Sequence, residues 1–386
     1  MFGSEECGIY EIQLLDGESV NKDLIAGWLK ELEGLHPKSL FQSPEYFDFL
    51  VATERPGDLG VALVTAAKSE EVCGVIPIRQ SPHALKLSVG KHVFGAVTFN
   101  AIRLLGSLPN MPPHPQLFDD LAQLLMQIYP DAEVLCLESV PVDSWLWRHI
   151  TTSKKIRKNF YVYLPHGPRR WYSIGLPTSF KQYLERFSAK QRYNLSRQVR
   201  RLQDYGEGLL NLHRIASAEQ VKGFVAGMQA LANQQERTAI LRPDQYVALA
   251  QRGLLLSFVL VCGVLPCAIA FATHHGSVLQ VHTLFYDRSV WHLSPGTAIQ
   301  YLIVQNVIET GGTSRIEFGY GPGTASTISG SDATAKGQIL LMRKSAGNIA
   351  KKVLYDTFCA IVYDAKGLHA RLKTARLRIS QFLANR

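Results

Sequence analysis

VLQVHTLFY (278–286), DRSVWHLSPGTAIQYLIVQNVIETGG (287–312) and TSRIEFGYG (313–321) together decide the fold. The first run is rich in β-branched and aromatic residues and predicts a strand. The second carries apolar residues at helical spacing and stops at paired glycines, and the third predicts another strand. In a strand–helix–strand unit the two strands are parallel neighbours, so their carboxyl ends lie beside the helix start. Ligands bind there in open α/β sheets. Ser294 can cap the helix, Pro295 suits its first position, and Gly296 leaves backbone amides unshielded. A helix start carries free N–H groups and roughly half a positive charge, which suits phosphate or pyrophosphate. No Asp or Glu occurs from Gly296 until Glu309, so the first turn keeps its field for an outside anion. The bland alternative is a well-capped helix and nothing more.

Polar residues in these apolar strands are the next candidates. His282 and Thr283 precede the helix, and Glu317 follows it. A His and a Glu at one cleft can serve as general base, directly or through water. Each alone can also be a satisfied core residue. Tyr320 lies at the mouth of the same cleft, where its phenol could protonate a leaving thiolate or simply be a surface aromatic.

Working outward, the chain of 386 residues is 46% hydrophobic and 19% charged, which describes a folded protein of about two domains. Residues 1–150 carry 10 Lys/Arg and 20 Asp/Glu, whereas residues 151–386 carry 31 and 12. An acidic half joined to a basic half points the second half toward an anionic partner. Most of that positive charge sits in 153–170, 178–201 and 343–386, flanking a nearly neutral 282–320. In 178–201, Lys181, Arg186, Lys190, Arg192, Arg197, Arg200 and Arg201 interleave with Tyr183, Phe187 and Tyr193, as on many nucleic-acid surfaces. The alternative is a solvated face with its aromatics in the core.

Several classes are excluded. Six cysteines are too sparse for a disulfide framework, and no Cys/His spacing suggests a metal site. Cys262 and Cys267 read as buried small hydrophobes. The start MFGSEECGIY has neither a basic n-region nor an apolar h-region, so a cytoplasmic protein is expected. The uncharged stretch between Arg252 and Asp287 is broken by Gly263 and Pro266, which predicts a buried β-hairpin rather than a membrane span. No G-x-S-x-G, GxGxxG, Walker or HExxH motif is present.

The first half reads as helices over 20–35 and 43–53, strands in GVALVTAA, EVCGVIPIRQ, IRLLGS and EVLCLESV, and an amphipathic helix in HPQLFDDLAQLLMQIY. After a strand at Phe160–Leu164, the second half offers one or two basic helices, a strand in LLNLHRIA, helices at 217–235 and 242–253, the apolar hairpin, the unit described above, a strand in QILLMRKS and basic helices over 347–386.

On these residues the second half resembles the GNAT acyltransferase superfamily, and more narrowly its BioF-like/CelD type, relatives of the FemABX peptidyltransferases. TSFKQYLERFSAKQRYNLSRQVRRLQ resembles that group's basic opening helices, and FYDRSVWHLSPGTAIQYLIVQNVIETGGTSRIEFGYG its strand, S-P-G-T helix start and following acidic strand. FQSPEYFDFL, GVIPIR and IRLLGS are similar to the usual amino-terminal portion. The resemblance implies an α/β (α+β) fold of tandem GNAT-like units, each a mixed, mostly antiparallel sheet flanked by helices. Residues 1–165 would form a unit without cofactor, and 166–386 the acyltransferase unit.

It also implies acyl-CoA as cosubstrate without a metal, its pyrophosphate on the amides of Ser294, Pro295, Gly296 and Thr297. The acyl-pantetheine arm would lie along Leu284, Phe285 and Tyr286, whose backbone amides would polarise the thioester carbonyl. Glu317 or His282 would be the base and Tyr320 the acid, with direct attack by a small-molecule or saccharide amine or hydroxyl acceptor. One departure is that Lys336 follows Ala335, where family members commonly show Tyr-Lys. Two alternatives stand beside this reading: a FemABX-like transferase using aminoacyl-tRNA, and a degenerate GNAT fold serving as a binding module. RNA or an acidic membrane surface could be met through 178–201 and 343–386, the latter making the protein peripheral to a membrane.

Overall fold

The computed structural model describes residues 2–7, 9–31, 39–90, 92–235, 241–320, 328 and 333–364. The first half contains β1 (Phe2–Cys7), β2 (Tyr10–Asp16), α1 (Lys22–Glu31), α2 (Pro44–Thr53), β3 (Leu59–Ala66), β4 (Val72–Val89), β5 (His92–Leu104), α3 (Pro115–Ile128), β6 (Val134–Pro141), α4 (Trp145–Thr152), α5 (Lys154–Asn159) and β7 (Phe160–Tyr163). The second half continues with β8 (Arg169–Gly175), α6 (Phe180–Glu185), α7 (Ala189–Tyr205), β9 (Leu210–Ile215), α8 (Ala218–Gln234), α9 (Pro243–Gln251), β10 (Ser257–Cys262) and β11 (Leu265–His275). It ends with β12 (Val278–Tyr286), α10 (Pro295–Thr310), β13 (Arg315–Tyr320) and β14 (Ala333–Arg343). A last described helix, α11, covers 346–364. Residues 321–327 and 329–332, which lead from β13 to β14, lie outside the described residues, as do 365–386 and the end of the expected first helix.

All fourteen strands of the described residues join one sheet in the order β1-β2-β3-β4-β5-β6-β14-β8-β13-β12-β11-β10-β9, with β7 also on β14. Among the described pairs two are parallel, β5 with β6 and β12 with β13; the others are antiparallel. Each parallel pair encloses a helix, α3 in the first unit and α10 in the second. The architecture is the expected one of mixed, mostly antiparallel sheet flanked by helices, with the same strand–helix–strand core twice. β14 ties the two together: Ala333–Lys336 pair with β8, whereas Lys336–Met342 pair with β6.

Local chemistry explains the helix starts. The Ser43 hydroxyl accepts the Tyr46 N–H at 3.1 Å, with Pro44 at the first helical position of α2. Ser188 and Gln191 form a reciprocal capping box that starts α7. Leu117, Phe118, Leu121 and Leu125 of α3 are fully buried against the first unit's sheet. Each such side chain contributes about 1.5–3 kcal/mol. α6, α7 and α10 cover one face of the second unit's sheet, and α8, α9 and α2 the other.

Three parts of the chain depart from the sequence reading. β1 and β2 form an unforeseen antiparallel edge, and β4 and β5 extend into a hairpin paired from Ile78–Leu104 out to Val89–His92. β8, absent from the sequence reading, sits in the middle of the sheet between β13 and β14. The uncharged 252–287 stretch forms β10, β11 and β12. Among the described residues no helix is long and apolar enough to cross a membrane.

Candidate active site

β12 carries a bulge that decides what it presents. Phe271 pairs with Thr283 but Ala272 with Val281, so His282 is the extra residue. Leu279 and Val281 therefore face the core under α10 before the bulge, and Leu284 and Tyr286 face it after. Phe285 turns to the opposite core under α8 and α9. His282 itself stacks on Phe271 at 4.8 Å, and its Nε2 lies 2.7 Å from the Thr273 hydroxyl. Burial lowers its pKa to about 4. His282 thus packs into the core on the face opposite α10, where burial favours its neutral form.

Parallel pairing of β12 with β13 covers only Val278–Gln280 against Arg315–Glu317. Past Glu317, β13 is itself bulged against β8, and Gly319 takes φ 75° there. Past Gln280, β12 keeps its pairing with β11, and the Tyr286 carbonyl accepts from Gln235 Nε2 at 2.7 Å. The two parallel strands thus part company where the sequence places the reacting groups.

The start of α10 differs from the expected cap. Ser294 is left-handed (φ 60°, ψ 47°) and its side chain makes no capping bond. Such a backbone costs a non-glycine residue about 1–2 kcal/mol, and strain of this kind concentrates at functional sites. The Ser294 N–H goes to the Trp291 carbonyl and the Thr297 N–H to the Ser294 carbonyl, each at 3.0 Å. Pro295 has no N–H. Of the four residues expected to hold pyrophosphate, Gly296 alone keeps an amide without such a bond. A Cβ at Gly296 would come within 3.3 Å of Leu284 Cδ2 and 3.6 Å of Tyr286 Cδ1, so the helix start is pressed against the arm of β12.

Glu317 pairs with Ser173 across β8 and, next to the core residue Ile316, points away from α10. On that face lies Lys336. Burial lowers the Lys336 pKa, the Glu317 carboxylate opposes the shift, and Arg315 adds to it. Tyr320 meets Trp171 edge-on at 5.0 Å, and the Arg169 guanidinium sits 4.1 Å from the Tyr320 ring centre. The Lys336 ammonium lies 4.3 Å from the Trp171 ring centre. Tyr320 Oη and Trp171 Nε1 are buried without a well-formed hydrogen bond. Burial raises the Tyr320 pKa, while the neighbouring Ser139 hydroxyl and Arg169 pull it down. The structure therefore brings Glu317, Tyr320 and Lys336 together on the face away from α10; His282 lies on that side of the sheet too, packed against Phe271 and Thr273.

The first unit supplies the rest of that face. Glu138 and Ser139 of β6 oppose Gln338 in a bulge, with Ser139 left-handed at φ 54°. Arg103 donates to Glu138 at 2.6 Å, to Ser81 at 2.8 Å, and meets His83 Nδ1 at 2.9 Å. Gln338 donates to both oxygens of Glu138 at 2.8 Å. Burial, then Arg103, lowers His83 to about 4. Ligand atoms of His83, Cys136 and Glu138 lie within 4.8 Å of one another, and the Arg103 guanidinium already contacts all three. This first-unit contribution escaped the sequence reading. Its one visible signal was an Arg and a Glu inside neighbouring apolar strands.

The basic helices divide in two. Tyr183 and Phe187 are buried, so their part of the pattern belongs to the core. Lys190, Arg197, Arg200 and Arg201 are exposed, and Arg200 lies 5.7 Å from the ring of the exposed Tyr193.

Residues 189–324 match the acetyltransferase (GNAT) domain family. No curated protein matches the sequence significantly. FemX shares 11% identity at TM-score 0.57, over 89% of this chain and all of that one. The C-terminal domain of a protein assigned as a lysylphosphatidylglycerol synthetase from Agrobacterium fabrum shares 10% at TM-score 0.50, over 88% of this chain and 96% of that one. At such identities the likeness concerns the fold alone. Residues 189–324, spanning α7 to β13, thus match the acetyltransferase (GNAT) domain family within a larger chain whose fold is similar to that of FemX.

Proposed function

We propose that the protein is an acyl-CoA-dependent acyltransferase that passes an acyl group directly to an amine or hydroxyl acceptor. The observation that carries this reading is the parting of β12 and β13 beside the unsealed start of α10. Gly296 contributes the open amide and the helix dipole to the pyrophosphate. Its missing side chain lets the start of α10 pack directly on Leu284 and Tyr286, the strand along which the pantetheine arm would run. The thioester supplies an activated acyl group. Glu317, half-buried on the opposite face, takes the acceptor's proton, and Tyr320 gives its own to the departing thiolate. Lys336 and Arg169 orient the acceptor from the same face, together with Ser139 and Glu138 of the first unit.

Direct attack leaves no covalent enzyme intermediate. The chain's buried cysteines suit this, since burial raises Cys267 to about 12 and Cys136 well above its ordinary value. The test is calorimetry with acetyl-CoA and longer acyl-CoAs, followed by thiol release against amine, amino-acid and sugar acceptors. Saturable binding with acceptor-dependent thiol release is expected. Absence of binding across the series would leave a degenerate binding module in its place.

A second reading rests on the exposed face of α7. Its four exposed cations, with Arg200 over the Tyr193 ring, form a surface that an aminoacyl-tRNA backbone would fit. Under that reading activity would be sensitive to ribonuclease and independent of CoA.

A further inference from the structure

α11 is amphipathic in the wrong sense for a surface helix. Its inner side meets the sheet through Tyr355, Lys351 and Lys352: the first is buried, Lys351 bridges Glu133 at 2.6 Å, and the Lys352 ammonium lies 5.1 Å from the Tyr163 ring centre. The outward side carries Ile349, Val353, Leu354 and Ile361, which are 40%, 54%, 56% and 62% exposed. Ala346, Ala350, Thr357 and Ala360 complete that arc, so no charge interrupts it from 346 to 361. Surface helices place their charges outward and their apolar residues inward.

The tip of the β4–β5 hairpin lies against the same helix, through Phe94 and Phe358 at 6.4 Å. There Val93 is 58% and Phe94 70% exposed. A contiguous patch built on two elements is unlike the single exposed apolar residues of ordinary surfaces. Its surroundings are basic and aromatic. Lys344, just before the start of α11, is exposed and lies 5.5 Å from the ring of the half-exposed Tyr161; the exposed Asp364 is the one carboxylate at the far end of the described helix. The sequence continues from 365 to 386 with six Lys/Arg and no Asp or Glu.

We propose that the outer face of α11 and the β4–β5 tip dock on an anionic lipid bilayer. Apolar side chains enter the acyl boundary, aromatic rings sit at headgroup level, and the flanking cations hold the lipid phosphates. A second copy of this chain would bring the same positive rim against this one. The charge of the surroundings therefore favours an anionic surface over self-association. Docking of this kind weakens as salt screens the cations and persists in part through the apolar contact.

The test is co-sedimentation of the full chain with sucrose-loaded vesicles, one set of phosphatidylcholine and one in which about a third is phosphatidylglycerol. The wild type should sediment with the anionic vesicles at least tenfold more tightly than with the neutral ones. Val353→Asp with Ile361→Asp, and separately Phe94→Asp, should each weaken that binding tenfold or more without changing the melting temperature. No binding by the wild type, or equal binding by all variants, overturns the proposal. So does a dimer in light scattering that these substitutions dissociate, which would assign the face to a second copy. A large fall in melting temperature with no vesicle binding would show the face covered within the chain, and overturns it equally. None of these outcomes depends on the acyl transfer reaction.

Discussion

His282→Gln separates a core histidine from a catalytic one. Burial lowers the His282 pKa from 6.5 to about 4. A histidine depressed in this way binds protons better in the unfolded chain. Its stabilising share is therefore whole above the unfolded value and is lost as pH falls from 6.5 toward 4. At 1.36 kcal/mol per pKa unit, the full interval amounts to about 3 kcal/mol, of which about 2 kcal/mol is lost by pH 5. In a chain of this size that corresponds to roughly 2–4 °C in melting temperature, scaled from smaller domains. The assay is thermal unfolding followed by circular dichroism at steps from pH 8 to pH 5, for wild type and His282→Gln. Glutamine can keep a hydrogen bond to Thr273 and has no proton to gain. The wild type should lose about 2–4 °C more than the variant over that range. His83, also lowered to about 4, contributes with the same sign in both proteins and cancels in the difference. Parallel curves would refute the core assignment. A tenfold loss of turnover at pH 8 would refute it from the other side, by returning His282 to the reaction.

Glu317→Gln and Tyr320→Phe should each lower turnover tenfold or more. Wild-type rates in both would remove the proposed acid and base. Gly296→Ala places a Cβ 3.3 Å from Leu284 Cδ2, and should weaken acetyl-CoA binding about tenfold by calorimetry, beyond any fall in melting temperature. Unchanged affinity would move the cofactor elsewhere. Gly337→Ala puts a Cβ 2.5 Å from the Trp147 ring in the first unit's core. A cost of about 1–3 kcal/mol is expected, read as a lowered melting temperature.

What the sequence revealed depended on how local the cause was. The unit from β12 to β13 was legible because strand, cap, helix and paired glycines follow one another within 43 residues. β8 was not: RRWYSIG has two arginines at its start, and it is a strand because β13 and β14 flank it from more than 140 positions away. Bulges were equally hidden. Nothing beside His282 announces the bulge, and that displacement is what turns Leu284 and Tyr286, rather than Thr283 and Phe285, toward α10. Ser139 is the first-unit counterpart. Its left-handed backbone follows from Gln338, two hundred residues later. The acidic and basic partners Glu138 and Arg103 were visible as charges in apolar strands, but their pairing is a property of the sheet.

β14 also sets the order in which the molecule can come into being. Leu137 on β6 meets Ile339 across 202 positions of chain. At a synthesis rate of about 5–20 residues per second, β6 waits roughly 10–40 s on the ribosome for its neighbour. During that interval the first unit presents an open, apolar strand edge, a ready template for wrong pairing. Contacts of such long range also slow folding once the chain is complete. A nascent chain halted before 333 would carry the acidic half whole in sequence yet unfinished in structure.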